Sequence, residues 1–194
     1  MPQGQDSQGS NIVLVALGGN APSRAGSPRA TVEAAIFTLR EIFSDFKASR
    51  LYQTPAFPAG AGPDFVNAGA AFRSDLDATE ILELLHGVEA EFGRERVARW
   101  GQRTLDLDLI ACGGAVLPDR ATFQHWSNLP LEAQKAATPD RLILPHPRLA
   151  DRAFVLVPLA ELAPDWSHPV TGQTIAQMLD ARPRAERDSV TTLT

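Results

Sequence analysis

Two aspartates spaced two apart, Asp106 and Asp108, sit inside the alternating run Thr104-Leu-Asp-Leu-Asp-Leu109. Alternation of this kind is the pattern of a β-strand, where successive side chains point to opposite faces. Leu105, Leu107 and Leu109 therefore share one face and the two carboxylates the other, with Asp Cα atoms about 6.6 Å apart. Like charges so close repel unless a cation lies between them, and oxygen donors on a rigid strand suit Mg²⁺, with two ions about 3.5 to 4 Å apart as one arrangement. The same pattern also fits an amphipathic edge strand with a solvated acidic face, and the Asp-x-Asp spacing alone does not separate the two.

The segment upstream adds weight to the metal reading. Gly93-Arg-Glu-Arg-Val-Ala-Arg-Trp-Gly-Gln-Arg103 places Arg94, Arg96, Arg99 and Arg103 between a helix end and the acidic strand. Guanidinium groups beside a carboxylate pair supply the two halves of a nucleoside triphosphate site: a metal that bridges phosphate oxygens, and donors that take up charge as a phosphoryl bond breaks. Trp100 stacks on a ring or pins the loop to the core, and spacing does not choose between these. Neither lysine, Lys47 or Lys135, follows a glycine, so a P-loop is absent.

Composition sets the outer limits. The chain has 194 residues, 44% of them hydrophobic, and a formal charge of −5, enough length for one domain with a real core and no global positive field to hold a nucleic acid. All but two of its 18 basic residues are arginines, which favours forked recognition of an anion. One cysteine, Cys112, with no Cys/His cluster of metal-ligand spacing, suits a reducing compartment, and a cytoplasmic protein without membrane contact is expected. Residues 1–10 read as a polar, flexible arm and residues 182–194 as a loose, charged tail around a single domain over 11–181.

Steps in hydrophobic period give the elements. Ile12 to Leu17 is a continuous apolar run, as of a central strand buried on both faces, closed by Gly18-Gly19-Asn20. Ser27-Pro28 starts a helix whose apolar positions recur from Val32 to Phe46. Ala48 to Gln53 reads as a strand, Thr54 to Pro63 as an extended loop, and Phe65 to Arg73 as a strand of small residues. Asp77 and Glu80 form a capping box for a helix that Gly93 ends, and Thr104 to Ala111 is the last clear strand. Short helices are expected at Leu129 to Ala137, Ala153 to Leu162 and Thr174 to Leu179. The order strand, helix, strand, strand, helix, strand predicts an α/β (α+β) fold with a ferredoxin-like βαββαβ core: an antiparallel sheet with both long helices on one face and extra short C-terminal helices.

Six ordered motifs then identify a resemblance: Leu17-Gly-Gly-Asn20, Tyr52-Gln-Thr-Pro55, Asp64-Phe-Val-Asn67, Arg99-Trp-Gly-Gln-Arg-Thr-Leu-Asp-Leu-Asp108, Pro145-His-Pro-Arg-Leu149 and Arg152-Ala-Phe-Val-Leu-Val-Pro-Leu159. From about Asn11 to Leu179 the chain resembles the 6-hydroxymethyl-7,8-dihydropterin pyrophosphokinase family, which moves a pyrophosphoryl group from ATP to a pterin hydroxymethyl in folate biosynthesis. The resemblance implies that Asp106 and Asp108 hold two Mg²⁺ ions and that Thr54, Pro55, Phe57, Phe65, Asn67 and Phe154 form the pterin pocket. Glu89, Arg96, Arg99, Trp100, Arg103, Leu109, His146 and Arg152 correspond to its ATP set, with Arg94 and Arg103 as charge stabilisers in catalysis. The residue chemistry agrees, since Phe65 and Phe154 can stack on a flat ring and Asn67 offers both donor and acceptor to its amide edge; core packing is the plainer reading of each Phe alone.

The chain departs from the family pattern in three places. The basic loop is one residue shorter between Arg96 and Arg99 and lacks a lysine, an insertion occupies Gly113 to Arg141, and Pro147 stands where an aromatic often follows the histidine. Two rivals remain at this level: an Asp-x-Asp nucleotidyl or glycosyl transferase, which would lack the pterin signature, and a non-catalytic ferredoxin-like sensor, which would not need two aspartates beside four arginines. A monomer acting on small molecules is expected.

Overall fold

The computed structural model describes residues 11–56, 62–93, 103–130, 133 and 139–194. Its sheet is built from β1 (Asn11–Gly19), β2 (Lys47–Ala48), β3 (Tyr52–Thr54), β4 (Phe65–Ser74), β5 (Asp106–Cys112) and β6 (Thr191–Thr192). The main path runs β5-β1-β4-β3-β6 with β2 also on β4, and every pairing is antiparallel. The first four strands of that path give the order of two interleaved βαβ units, as the element order predicts.

Helices α1 (Pro28–Ile42) and α2 (Ala78–Glu91) cover one face. Ser27 accepts the Ala30 amide at 3.2 Å ahead of Pro28. Asp77 and Glu80 exchange bonds in the expected box, the Asp77 amide donating to Glu80 at 2.8 Å. Val13, Val15 and Leu17 of β1, Val32, Ala35 and Leu39 of α1, Ile81 and Leu85 of α2 and Leu105, Leu107 and Leu109 make this core. The first long helix stops short of its apolar pattern: Phe43 closes it, and Phe43 and Phe46 stack on Phe72 of β4 instead, with ring centroids 4.0 and 6.0 Å away.

The other face is also covered. After α3 (Arg120–Ser127), a 3₁₀ turn (Leu149–Asp151) leads into α4 (Ala153–Ala160), followed by α5 (Ile175–Asp180) and α6 (Arg184–Asp188). Leu14, Ala16, Ala71 and Ile110 from the sheet pack with Val155, Leu156, Leu159 and Ile175 there. The unbroken apolar run of β1 is thus explained by two cores, one on each side.

Three expectations need correction. The single strand over Ala48 to Gln53 is two: Ser49 stays tied to Gly69, its amide donating to Gly69 O at 3.0 Å while its Oγ accepts the Gly69 amide at 2.9 Å, and the Arg50 amide turns away to donate to Glu161 at 3.0 Å. Pairing resumes one residue out of step, Ala48 opposite Ala70 but Tyr52 opposite Asn67, which is a β-bulge. The segment expected to be an insertion, Gly113 to Arg141, holds a helix at Arg120–Ser127 that was not foreseen, whereas most of Leu129 to Ala137 lies outside the described residues, as does the 1–10 arm. The tail from Arg182 is folded: β6 adds to the sheet edge with Tyr52 opposite Thr192, and Leu193 N donates to Leu51 O at 2.8 Å.

Candidate active site

The face beneath α4 collects the candidate residues. Because Leu105, Leu107 and Leu109 point into the α1/α2 core, Asp106 and Asp108 point to the α4 side, as the alternation requires; their side chains are 18% and 38% exposed. On β4 the same rule sends Val66, Ala68 and Ala70 to the first core and Phe65 and Asn67 to the α4 side. The registers then align one row across four strands: Tyr52, Asn67, Gly18 and Asp106. At about 4.8 Å per strand, Asn67 and Asp106 stand roughly 10 Å apart with only a glycine between them. Gly18 is the floor of the site, and a Cβ there would lie 3.0 Å from Asn67 Oδ1. The adjacent row, Gly69, Ala16 and Asp108, is equally small.

Each side chain is held. Asn67 Nδ2 donates to Thr54 Oγ1 at 2.8 Å, and both residues are buried. Pro55 ends β3 exposed, and Phe65 opposite Thr54 is half-buried. Arg103 pairs with Asp106, and Arg152 Nη1 lies 3.4 Å from Asp108 Oδ2. Phe154, 40% exposed in the first turn of α4, carries the Arg152 guanidinium 5.8 Å above its ring.

The far end of α4 is tied down through Glu161, which accepts from the Tyr52 hydroxyl and from Arg50 Nε at 2.7 Å. Its carboxyl is held below the usual range by those bonds against the opposing effect of burial. The same burial, with the Glu161 bond, pushes the Tyr52 phenol up.

Beyond Asp108 a cleft of about 340 Å³ runs along the β5 edge, within the size range of small-molecule sites. Asp108, Leu109, His146 and Arg152 all line it, so four of the expected residues share one cavity. His146 is fixed there by its amide, which donates to Ile110 O at 2.8 Å, and by its Nδ1, which accepts the Arg148 amide at 3.1 Å. Burial of the ring, with Arg152 and Arg148 nearby, pushes its pKa down to about 3, so at neutral pH the imidazole is uncharged. With Nδ1 accepting, Nε2 carries the proton.

Glu89 is placed differently from the others. It comes from α2 on the far side of the sheet, is 1% exposed, and accepts the Leu107 amide at 2.7 Å, so it braces the strand between the two aspartates. Phe57, Arg94, Arg96, Arg99 and Trp100 lie outside the described residues.

One contributor carries no sequence signal of its own beyond its place in Gly-Gly-Asn. Asn20, 5% exposed, accepts the Arg103 amide at 2.9 Å and donates from Nδ2 to Pro63 O at 3.2 Å, while its own amide donates to Arg103 O. It therefore clamps the lead-in to β5 against the lead-in to β4. Gly19 permits this: a Cβ there would lie 2.4 Å from Thr104 O.

The family model described as 7,8-dihydro-6-hydroxymethylpterin-pyrophosphokinase (HPPK) matches residues 14–164. The chain belongs to the HPPK family. Among relatives named 2-amino-4-hydroxy-6-hydroxymethyldihydropteridine pyrophosphokinase, one from Synechocystis is 38% identical over 168 residues, covering 86% of this chain and 74% of that protein. One from Pseudomonas aeruginosa is 35% identical over 173 residues, covering 88% and 91%. A solved HPPK-DHPS from Plasmodium falciparum shares the fold at TM-score 0.60 and 13% identity, covering 90% of this chain but 44% of that one. A second HPPK-DHPS, solved in complex with substrates, matches at TM-score 0.62 and 12% identity, covering 89% and 43%, so the chain spans under half the length of these two. HPPK membership sets aside the nucleotidyl or glycosyl transferase and the non-catalytic sensor. Among the described residues, no helix is long and apolar enough to cross a membrane.

Proposed function

We propose that this HPPK-family pyrophosphokinase performs its transfer on the row Asn67, Gly18, Asp106: the pterin seated over Asn67, ATP in the cleft beyond Asp108, and the hydroxymethyl oxygen attacking the β-phosphorus in line over the glycine floor while AMP leaves. The observation that carries the reading is this row, since it sets a ring-recognising amide and a carboxylate pair on one face, roughly 10 Å apart at about 4.8 Å per strand, with nothing rising between them.

The donor set fits Mg²⁺. Two carboxylates on one face of a rigid strand match an ion that takes one or two protein carboxylates and fills its remaining positions with phosphate oxygens and water. Among the described residues no group of three His, Cys, Asp or Glu side chains gathers to form an all-protein cage. Asp106 and Asp108 would hold the ions, which when bound supply charge neutralisation across the triphosphate.

The protein's own share is positioning and electrostatics. Thr54 fixes the Asn67 amide so that it meets the pterin's polar edge in one orientation, and Phe65 and Phe154 offer the ring its apolar faces. Arg103 and Arg152, now paired with the two aspartates, turn to phosphate oxygens as charge builds on them. Neutral His146 offers Nε2–H as a hydrogen bond without adding charge. Arg94, Arg96, Arg99 and Trp100, with Phe57 on the pterin side, belong to the same reading through the family motifs, and no side chain need form a covalent intermediate. A cytoplasmic monomer completes it, supported by a lone, buried Cys112 whose thiol pKa burial raises and by apolar cores that the chain's own helices cover.

The decisive assay incubates the protein with MgATP and 6-hydroxymethyl-7,8-dihydropterin and looks for AMP together with the pterin diphosphate. Product from wild type and none from Asp106→Ala or Asp108→Ala, with the fold retained, is the expected result. Near-normal AMP release in either variant refutes the site.

A further inference from the structure

The insertion places a large aromatic against the cleft. Asp119 caps α3 by accepting the Thr122 amide at 2.9 Å, Arg120 donates to Val170 O at 3.0 Å, and Phe123, 4% exposed, packs against the His168 ring at 5.3 Å. One turn on, Trp126 lines the cleft together with Asp108, His146 and Arg152, its indole half-buried with His125 edge-on at 6.0 Å. The helix is thus anchored by Phe123 and presents Trp126 one turn further along the same face.

Of the cleft's lining residues, Asp108 and its partner Arg152 adjoin Asp106, where the phosphates must lie if the chemistry takes place there. Trp126 shares the lining with the apolar Leu82 and Ile143 and with the cationic Arg141 and Arg148. Pro147 lines the same cleft without a π-face, so the indole is the broadest aromatic surface among the described lining residues. For a flat purine in this cleft, with its phosphates at Asp108 and Arg152, the indole is the aromatic surface on offer.

We propose that Trp126, carried into the cleft by the insertion helix, is the stacking platform for the adenine base and a determinant of nucleotide affinity. This rests on the ATP-site reading above. The test is calorimetric titration of MgATP into wild type, Trp126→Leu and Trp126→Phe, with thermal unfolding as the check on folding. Leu keeps an apolar side chain without a π-face, and should weaken ATP about tenfold, the scale of one lost base–aromatic stack, while Phe stays within about twofold. Leu binding like wild type, or Phe losing as much as Leu, overturns the role of Trp126 and leaves the ATP site standing. A folded wild type that does not bind MgATP overturns both.

Discussion

Gly18 and Gly19 are adjacent in sequence yet serve different ends, and alanine at each separates them. At Gly18 the new methyl would press on Asn67 Oδ1 at 3.0 Å and rise into the site floor. The fold should survive and the pterin Kd should rise about tenfold, the worth of one disturbed hydrogen bond. At Gly19 the methyl would meet the Thr104 carbonyl at 2.4 Å, a backbone atom that can yield only by moving the lead-in to β5. A loss of about 1–3 kcal/mol in urea unfolding is expected there, as for other overpacked sites. Phe65→Ala complements the pair, with pterin affinity falling by about 1–3 kcal/mol and ATP affinity unchanged by calorimetry.

His146 gives the pH test at the same scale. Its folded pKa is pushed down to about 3 from the ordinary 6.5, so the unfolded chain takes up the proton first as pH falls. The stability that neutral His146 contributes is therefore complete above about pH 6.5 and is lost progressively between there and about pH 3. Its imidazole resonances should stay flat in an NMR titration from pH 8 to 5; a midpoint near 6.5 would show a solvated ring.

Between elements, the aspartate pair is positioned from both sides of β5. Asn20 holds the start of the strand, Glu89 holds its middle through Leu107, and the His146 amide caps its open edge at Ile110. Glu89→Ala leaves a buried amide without that partner, and about 1–3 kcal/mol of stability should go with it. Glu89→Gln, which keeps an acceptor oxygen, should recover most of the loss in the same urea titration.

The sequence made the strand and the aspartates legible because alternation and period are local. Asp77 and Glu80 announced their helix for the same reason. The β-bulge after Ala48 was not legible, since it depends on Ser49 and Arg50 finding Gly69 and Glu161, 20 and 111 residues away. Glu89 joined the ATP set through the resemblance alone, and its burial against Leu107, set by how α2 meets β5, carries no local signal.

For the whole molecule, the βαββαβ order was readable while the closing of the sheet edge was not. Thr191-Thr192 is too short to carry a period, and it becomes a strand only because β3 leaves a free edge for it. Its register sets Thr192 opposite Tyr52 and Thr191 opposite Gln53, immediately before Thr54, while Arg29 of α1 donates to Thr194 O at 2.9 Å. Thr54 in turn orients Asn67, so the C-terminal strand lies two contacts from the amide proposed to read the pterin. Removing residues 190–194 should therefore raise KM for the pterin more than KM for ATP, because the cleft proposed for the nucleotide, at β5, is on the opposite edge of the sheet. Hydrogen exchange should quicken at Tyr52–Thr54 while the β1–β5 ladder keeps its protection. Equal losses for both substrates would mean that the strand supports the fold as a whole and does not act through Thr54.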